Sequence, residues 1–200
     1  MDRRPRVLLL GDSIRLSYQP FVAAALGEVA EVVGPSANGQ YALNTNMHLA
    51  QWLGELGRPA IVHWNNGLWD VGHFPFRAPE QTPLDAYVGN LAFILRALRQ
   101  TQATIIWATT TPVHRARPFL TDGSPYWSLD NSEIDLYNTA ARALMDSEGI
   151  AIDDLHAVVS ADPEAYFAVD QLHLSPVGIE ACASAVADSV RLALAGSTAE

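Results

Sequence analysis

The chain has 200 residues, 49% of them hydrophobic, which suits a single α/β domain over residues 1–200 with a sizeable core. All twelve basic residues are arginine, and the absence of lysine excludes a Ser-Lys dyad, a P-loop lysine and Schiff-base chemistry. The formal net charge of −10, without a basic run, argues against nucleic acid as a partner, because phosphate contacts supply most of that affinity.

Cysteine content and apolar runs bear on the compartment. Cys182 is the single cysteine, so no internal disulfide can form, and we expect a reducing compartment, by default the cytoplasm. The apolar run after the basic amino end lasts only four residues, which is too short for the core of a signal peptide. No other segment has the apolar length of a membrane span, so we expect no membrane partner.

The first predicted element is a buried strand over Val7 to Leu10, because consecutive large apolar residues without polar alternation suit a strand covered on both faces. The strand ends on Gly11-Asp12-Ser13. In open α/β sheets the carboxyl ends of the strands carry the ligand crevice, so Ser13 is a candidate nucleophile. An ordinary helix start capped by Asp12 or Ser13 explains the same residues, and the motif alone favours that interpretation.

The rest of the chain alternates between strands and helices. Short apolar runs between turn residues predict further strands over residues 28–33, 60–64, 103–109 and 150–152. Apolar residues at helical spacing predict helices over residues 19–26, 46–56, 83–100, 131–148 and 176–190. The helix that starts near residue 83 has Thr82 as its predicted cap and Pro83 at its first position. This alternation implies a five-stranded parallel sheet with right-handed crossovers, and therefore a three-layer α/β/α sandwich.

Loops at the predicted carboxyl edge of the sheet carry polar groups. The loop from Gly34 to Gly39 can present backbone N–H groups at close range, although a flexible connection is an equally good interpretation. Asn65 and Asn66 follow the third strand and are costly to bury unless paired, so they either hold a loop together or face a ligand. The loop from Thr110 to Asp130 is long enough to wall a cleft, or to cover packed aromatic residues.

A serine nucleophile needs a base, and the pattern Asp-x-x-His occurs three times, as Asp70/His73, Asp153/His156 and Asp170/His173. His156 lies at the start of a predicted short helix, where a solvated helix face explains it, and Asp70 is placed to brace the asparagine loop. Asp170 and His173 lie in an irregular stretch before a capped helix, which can bring both side chains over the sheet edge.

The chain thus carries Gly11-Asp12-Ser13-Ile14, a glycine in the second loop, an asparagine after the third strand and Asp-x-x-His before the last helix. This order and spacing resembles the SGNH (GDSL-type) hydrolase family over nearly the whole chain. The resemblance implies a flavodoxin-like fold and a serine esterase without metal or other cofactor. It also implies that Ser13 is the nucleophile, His173 the general base and Asp170 the acid that orients it.

The resemblance further implies an oxyanion hole made of the Ser13 and Gly39 backbone N–H groups and an asparagine side chain. The common form of the asparagine motif is Gly-x-Asn-Asp, whereas this chain has Gly67-Leu68-Trp69-Asp70, with tryptophan at the expected position. Asn65 is the preferred substitute, in an Asn-x-Gly-Leu-x-Asp variant of the motif, and Asn66 is the alternative.

The implied substrate is a small acyl ester, with an O-acetyl group on carbohydrate as one candidate. Trp64, Trp69 and Trp127 are candidates for stacking on a sugar, although tryptophans are more often core, and Trp69 and Trp127 are the predicted substrate-binding residues. A lysophospholipase or a thioesterase fits the same triad, and the missing asparagine keeps a non-catalytic carbohydrate-binding protein open. A metal site at His63, His73 and His114 is the weakest hypothesis, because nothing in the sequence places them on one face.

Overall fold

The computed structural model describes residues 4–74, 80–114 and 128–197. Its parallel sheet contains the strands β1 (Arg6–Leu10), β2 (Glu31–Val33), β3 (Ile61–Trp64), β4 (Thr104–Ala108) and β5 (Ala151–Asp153). They lie in the order β2-β1-β3-β4-β5, which is the flavodoxin-like doubly wound order. The predicted five-stranded parallel sheet is therefore confirmed.

Helices connect the strands and cover both faces of the sheet. They are α1 (Ser13–Leu26), α2 (Ala42–Leu56), α3 (Leu68–Val71), α4 (Leu84–Arg99), α5 (Asn131–Ser147), α6 (Leu155–Ser160), α7 (Pro163–Tyr166) and α8 (Pro176–Ser197). On one face α1 packs against α8, and on the other α4 contacts both α2 and α5. This is the three-layer α/β/α sandwich that the sequence predicts. None of the described helices is both long and apolar enough to cross a lipid bilayer.

The core is centred on β1, which lies between β2 and β3. The side chains of Val7 to Leu10 are completely buried, as the unbroken apolar run predicts. Trp64 on β3 and Trp107 on β4 are also completely buried, so both tryptophans are core residues rather than surfaces for a ligand.

The start of α1 differs from the prediction. The helix begins at Ser13 rather than at Gln19, because Asp12 occupies the cap position and its Oδ1 accepts a hydrogen bond from the Ile14 N–H at 2.9 Å. Ser13 is consequently the first residue of a helix that leads directly out of β1. The candidate nucleophile is thus placed by a rigid element and not by a free loop.

Asp70 contacts the residues at the starts of both α2 and α4. The Asp70 carboxyl accepts a hydrogen bond from the Ala42 N–H, and α2 begins there rather than at Asn46. The predicted Thr82 cap of α4 is wrong. Pro83 occupies the cap position without a side-chain hydrogen bond, and the buried Thr82 side chain hydrogen bonds to Asp70 instead. One buried carboxyl therefore connects the starts of two helices that are distant in sequence.

Candidate active site

Ser13 lies at the turn between the carboxyl end of β1 and the start of α1. The first N–H groups of a helix have no partner within the helix, and the Ser13 N–H is one of these donors. A side chain at Gly11 would bring its Cβ to 2.8 Å from the Cβ of Arg15, so the turn requires glycine. Burial raises the pKa of the capping Asp12 carboxyl, against the opposing effects of the Ile14 N–H and the Arg15 charge.

The segment between α7 and α8 brings His173 and Asp170 to Ser13. The distance from His173 Nε2 to Ser13 Oγ is 3.0 Å, and that from His173 Nδ1 to Asp170 Oδ2 is 2.6 Å. The His173 side chain is 44% exposed and that of Asp170 is 28% exposed. The structure therefore joins the three predicted residues in one continuous chain of hydrogen bonds that solvent can reach.

The hydrogen bonds of Asp170 determine the tautomer of His173. Burial raises the pKa of Asp170, but hydrogen bonds from the His173 ring and from the Leu172 and His173 N–H groups lower it by more, so it lies below its usual value. An ionised carboxylate only accepts hydrogen bonds, so Nδ1 of His173 carries the proton. In the neutral ring Nε2 is then the acceptor that faces the Ser13 hydroxyl. This arrangement can remove the hydroxyl proton and make Ser13 a nucleophile.

Backbone hydrogen bonds fix the segment that carries these two side chains. The Ala168 N–H donates to the His173 carbonyl oxygen at 2.8 Å, and the His114 N–H donates to the Gln171 carbonyl oxygen at 3.0 Å. Gln171 has a φ of 61°, a left-handed conformation that is uncommon for a residue with a side chain. Gln40 and Gln102 also have positive φ values, so this conformation by itself does not mark a functional site.

The other two Asp-x-x-His patterns do not form internal pairs. His73 Nε2 lies 2.8 Å from Glu133 Oε2, while Asp70 accepts the N–H at the start of α2. His156 Nε2 lies 3.2 Å from Asp135 Oδ1, and Asp153 pairs with His63. Among the three patterns, the aspartate contacts the histidine of the same pattern only in Asp170/His173.

The two adjacent asparagines after β3 have different environments. Both amide protons of Asn66 have acceptors, namely the Gln40 carbonyl oxygen at 3.0 Å and Thr45 Oγ1 at 2.9 Å, and its Oδ1 accepts from the Trp64 indole. Asn65 Nδ2 donates to the Ala108 carbonyl oxygen at 2.8 Å, which uses one of its two amide protons. Asn66 thus holds the loop together, and Asn65 retains a donor at the carboxyl edge of the sheet.

Gly39 lies in the loop between β2 and α2, residues 34–41, which we call the β2–α2 loop. Its N–H donates to the Gly11 carbonyl oxygen at 3.0 Å. A Cβ at this position would lie 2.6 Å from the same oxygen, so glycine is needed for the contact. The predicted oxyanion donor therefore already has an acceptor, and it can serve an oxyanion only if the Gly11 carbonyl shares or releases that proton.

The third motif also contains Trp69 and Asp70. Burial raises the pKa of Asp70 to about 7, against the Ala42 N–H and Thr82 hydrogen bonds that lower it. Trp69 is partly exposed on α3. Trp127, the other predicted substrate contact, lies outside the described residues.

The positions of the three histidines do not support the hypothesis of a metal site. His63, His73 and His114 each lie beside a different carboxylate, and these are Asp153, Glu133 and Glu164, respectively. Across the ranges 4–74, 80–114 and 128–197, no group of three or more His, Cys, Asp or Glu side chains could hold a metal ion.

Arg15 is not among the predicted site residues, and its side chain is almost completely buried beneath the turn. The sequence signal for a buried Arg15 is a basic residue directly after the apolar Ile14. This signal indicates burial only if Arg15 lies on a helix that packs into the core. The predicted helix start at Gln19 placed Arg15 in a loop, whereas α1 starts at Ser13.

Several solved structures of other proteins have a similar fold. Protein-family models and curated proteins give no match at the level of sequence. The structure of an acetyl xylan esterase, AlAXEase, superposes with a TM-score of 0.74 at 17% identity, over 92% of this chain and 99% of that chain. For a GDSL-like lipase from Bacteroides thetaiotaomicron the TM-score is 0.72 at 17% identity, over 94% of this chain and 89% of that chain.

A protein from Slackia heliotrinireducens assigned to the SGNH hydrolases superposes with a TM-score of 0.67 at 20% identity, over 94% of this chain and all of that chain. At such identities the similarity establishes the fold. This chain has the α/β fold of the SGNH and GDSL-type hydrolases, as the resemblance in sequence implies.

Proposed function

We propose that the protein is a serine carboxylic ester hydrolase that acts through an acyl-enzyme intermediate. The observation that carries this proposal is the chain of hydrogen bonds from Asp170 through His173 to Ser13 Oγ, with distances of 2.6 and 3.0 Å. The fold shared with esterases and lipases supports the proposal. A binding protein that merely retained the fold would have no need of this alignment.

In the first half of the reaction, Ser13 Oγ attacks the carbonyl carbon of the ester while its proton passes to His173 Nε2. The carbonyl oxygen becomes the oxyanion of a tetrahedral intermediate. When this intermediate collapses, the bond to the alcohol oxygen breaks and His173 returns the proton to the leaving alcohol. Asp170 stabilises the transient imidazolium and keeps Nε2 directed at the serine.

In the second half, a water molecule attacks the acyl-enzyme and gives a proton to His173 Nε2. The second tetrahedral intermediate releases the carboxylic acid, and Ser13 Oγ takes the proton back from the imidazolium. Each half-reaction thus moves one proton to His173 Nε2 and away again. The side chains that support this transfer, Ser13, His173 and Asp170, already contact each other.

For the oxyanion we propose the Ser13 N–H at the start of α1 and the second amide proton of Asn65 as donors. The dipole of α1 favours negative charge near its amino end. Gly39 contributes its N–H to the extent that the Gly11 carbonyl oxygen shares it. Asn66 is a poorer candidate than Asn65, because both of its amide protons have other acceptors.

We propose small acyl esters as the substrate class, and O-acetyl groups on carbohydrate as its natural members. The similarity in fold to an acetyl xylan esterase supports this choice. The 44% exposure of the His173 side chain supports it as well, because an open site accepts an ester that projects from a large molecule.

Hydrolysis of p-nitrophenyl acetate, butyrate and octanoate tests the proposal. We expect turnover by the wild type, fastest with acetate, and none detectable for Ser13→Ala or His173→Ala. His73→Ala and His156→Ala are matched controls, because each removes a histidine of an Asp-x-x-His pattern that lacks the internal pair. An inert wild type, or a Ser13→Ala variant as active as the wild type, would refute the proposal. A preference for octanoate would indicate that the substrate class is long-chain acyl esters rather than acetyl esters.

A further inference from the structure

Arg15 places a guanidinium group at the junction of β1, α1 and the β2–α2 loop. The residue is 1% exposed, which is rare for arginine unless its donors are paired. Nη1 donates to the Pro35 carbonyl oxygen at 2.8 Å and to Gln19 Oε1 at 2.9 Å. Nη2 donates to the Ala37 carbonyl oxygen at 2.9 Å and to the Gly11 carbonyl oxygen at 3.3 Å. One side chain thus joins the backbone before the candidate nucleophile to two points of the β2–α2 loop.

The β2–α2 loop is held by hydrogen bonds from α2, from the end of β3 and from the turn after β1. On the α2 side, Asn44 Nδ2 and Thr45 Oγ1 donate to the Gly39 carbonyl oxygen at 2.9 and 3.3 Å. On the β1 side, the Gly39 N–H and the Arg15 guanidinium both donate to the Gly11 carbonyl oxygen. The first set fixes the loop to its own helix, and Asn66 Nδ2 fixes it to the end of β3 through the Gln40 carbonyl oxygen. The second set joins the loop directly to the turn that carries Ser13.

We propose that Arg15 is a positioning residue that fixes the β2–α2 loop against the turn that carries Ser13, and so places the backbone N–H groups of both segments for the oxyanion. This inference rests on the proposed esterase function. Arg15 acts through the backbone of Gly11 and of the loop, and not by contact with substrate. The Gly11 carbonyl oxygen is the shared point, because it accepts from Arg15 and from Gly39 together.

Arginine suits this role for a geometric reason. Its planar guanidinium holds several N–H donors in a rigid fork, which can join carbonyl oxygens of separate segments at once. Lysine keeps the positive charge but has a single compact ammonium group, so it cannot reproduce all of the contacts. An apolar side chain would leave the Gly11, Pro35 and Ala37 carbonyl oxygens without this donor.

Amide hydrogen exchange of Gly39, measured by NMR, reports its bond to Gly11 without any substrate. We would compare the wild type with Arg15→Lys and Arg15→Met, and measure kcat and KM for p-nitrophenyl acetate on the same samples. The expected result for Arg15→Met is an exchange rate at Gly39 that is about tenfold higher. We also expect kcat to fall about tenfold or more while KM changes less than about twofold. Arg15→Lys should lie between the wild type and Arg15→Met in both measurements.

Arg6 provides a matched control at the opposite edge of the sheet. Its Nη1 donates to the Leu56 carbonyl oxygen at 2.8 Å beside Gly57, whose N–H bonds to the Leu53 carbonyl oxygen at 3.1 Å. The same substitution, Arg6→Met, should speed exchange at Gly57 and leave both Gly39 exchange and kcat unchanged. A general loss of stability would raise exchange at both glycines in either variant.

The outcomes separate this inference from the esterase proposal. Unchanged exchange at Gly39 in Arg15→Met overturns the positioning role, and so does an equal increase at Gly39 and Gly57. Selective loss of protection at Gly39 with unchanged kcat also overturns it. An inert wild type refutes the esterase function and with it the catalytic consequence, while the exchange data still decide whether Arg15 holds the loop.

Discussion

Two of the histidine–aspartate pairs in the described part of the chain have very different surroundings. His63 on β3 and Asp153 at the end of β5 lie 2.9 Å apart, with side-chain exposures of 0% and 7%. His173 and Asp170 lie 2.6 Å apart on the surface segment before α8, with exposures of 44% and 28%. The contact between acid and imidazole is similar in both, so that contact alone does not identify a catalytic pair.

The second ring nitrogen distinguishes the two pairs. His173 Nε2 faces the Ser13 hydroxyl, whereas His63 Nδ1 is buried and has no hydrogen-bond partner among the described residues. A general base needs both an orienting acid on one nitrogen and a reacting proton within reach of the other. By this criterion the buried pair is structural, since it links two strands of the core.

The strongest test of this contrast is to remove each histidine separately. We expect His173→Ala to lower kcat by about 10⁴-fold or more with little change in unfolding free energy, because the ring is half-exposed. We expect His63→Ala to keep kcat within a few fold but to lose about 3 kcal/mol or more of stability, because Asp153 is left without its buried partner. Ester hydrolysis and urea unfolding measure both quantities. A folded but inactive His63→Ala variant would contradict the structural role.

The adjacent asparagines repeat the contrast with a smaller expected effect. Asn65→Ala should lower kcat about 100- to 1000-fold, as loss of an oxyanion donor does, with a modest loss of stability. Asn66→Ala should instead lower the unfolding free energy by about 2 kcal/mol, because it leaves buried partners, including the Trp64 indole, unpaired. The same two assays apply. The assignment is reversed if Asn66→Ala is the folded, inactive variant.

The strands were predictable because their signal is local. A strand buried on both faces needs a continuous apolar run, and residues 7–10 supply one without reference to any other part of the chain. The helix starts were less predictable, because α2 begins where the distant Asp70 carboxyl meets the Ala42 N–H. No periodicity within α2 contains that information.

The candidate site likewise has features that the sequence predicts and features that only the structure shows. Motif order and context selected Asp170 and His173 from three equivalent patterns, because an irregular segment before a capped helix is visible in sequence. The difference between Asn65 and Asn66 was not visible, since it depends on which amide the Trp64 indole and Thr45 hydroxyl reach. The engagement of the Gly39 N–H by Gly11 also arises only from the approach of two loops.

Asp70 extends the comparison to a buried carboxyl without an imidazole partner. Burial raises its pKa to about 7 in the folded state, whereas an unfolded Asp has a pKa of about 3.9. The native state therefore binds this proton more tightly, and its contribution to stability is lost as pH rises from about 4 to about 7. We expect the wild type to lose stability over that range relative to Asp70→Asn, by up to about 1.4 kcal/mol per pH unit.

For Asp170 we expect the opposite dependence of stability on pH. Its pKa is lowered in the folded state, so its contribution is present above the unfolded pKa and is lost as pH falls below about 4. Urea unfolding of the wild type, Asp70→Asn and Asp170→Asn at a series of pH values separates the two effects. Equal slopes for the wild type and Asp70→Asn between pH values of about 4 and 7 would show that Asp70 is not a buried acid with a raised pKa.

Cys182 offers the mildest test, because it reports on the buried pair without being part of it. Burial raises the pKa of its thiol to about 12, and the nearby Asp153 charge acts in the same direction. Because the thiolate is the reactive form, we expect the native thiol to react with a disulfide reagent only on unfolding. His63→Ala should speed this reaction by loosening the core around Asp153, whereas His173→Ala should not. Equal labelling rates in the two variants would mean that the two pairs are not separated as this structure implies.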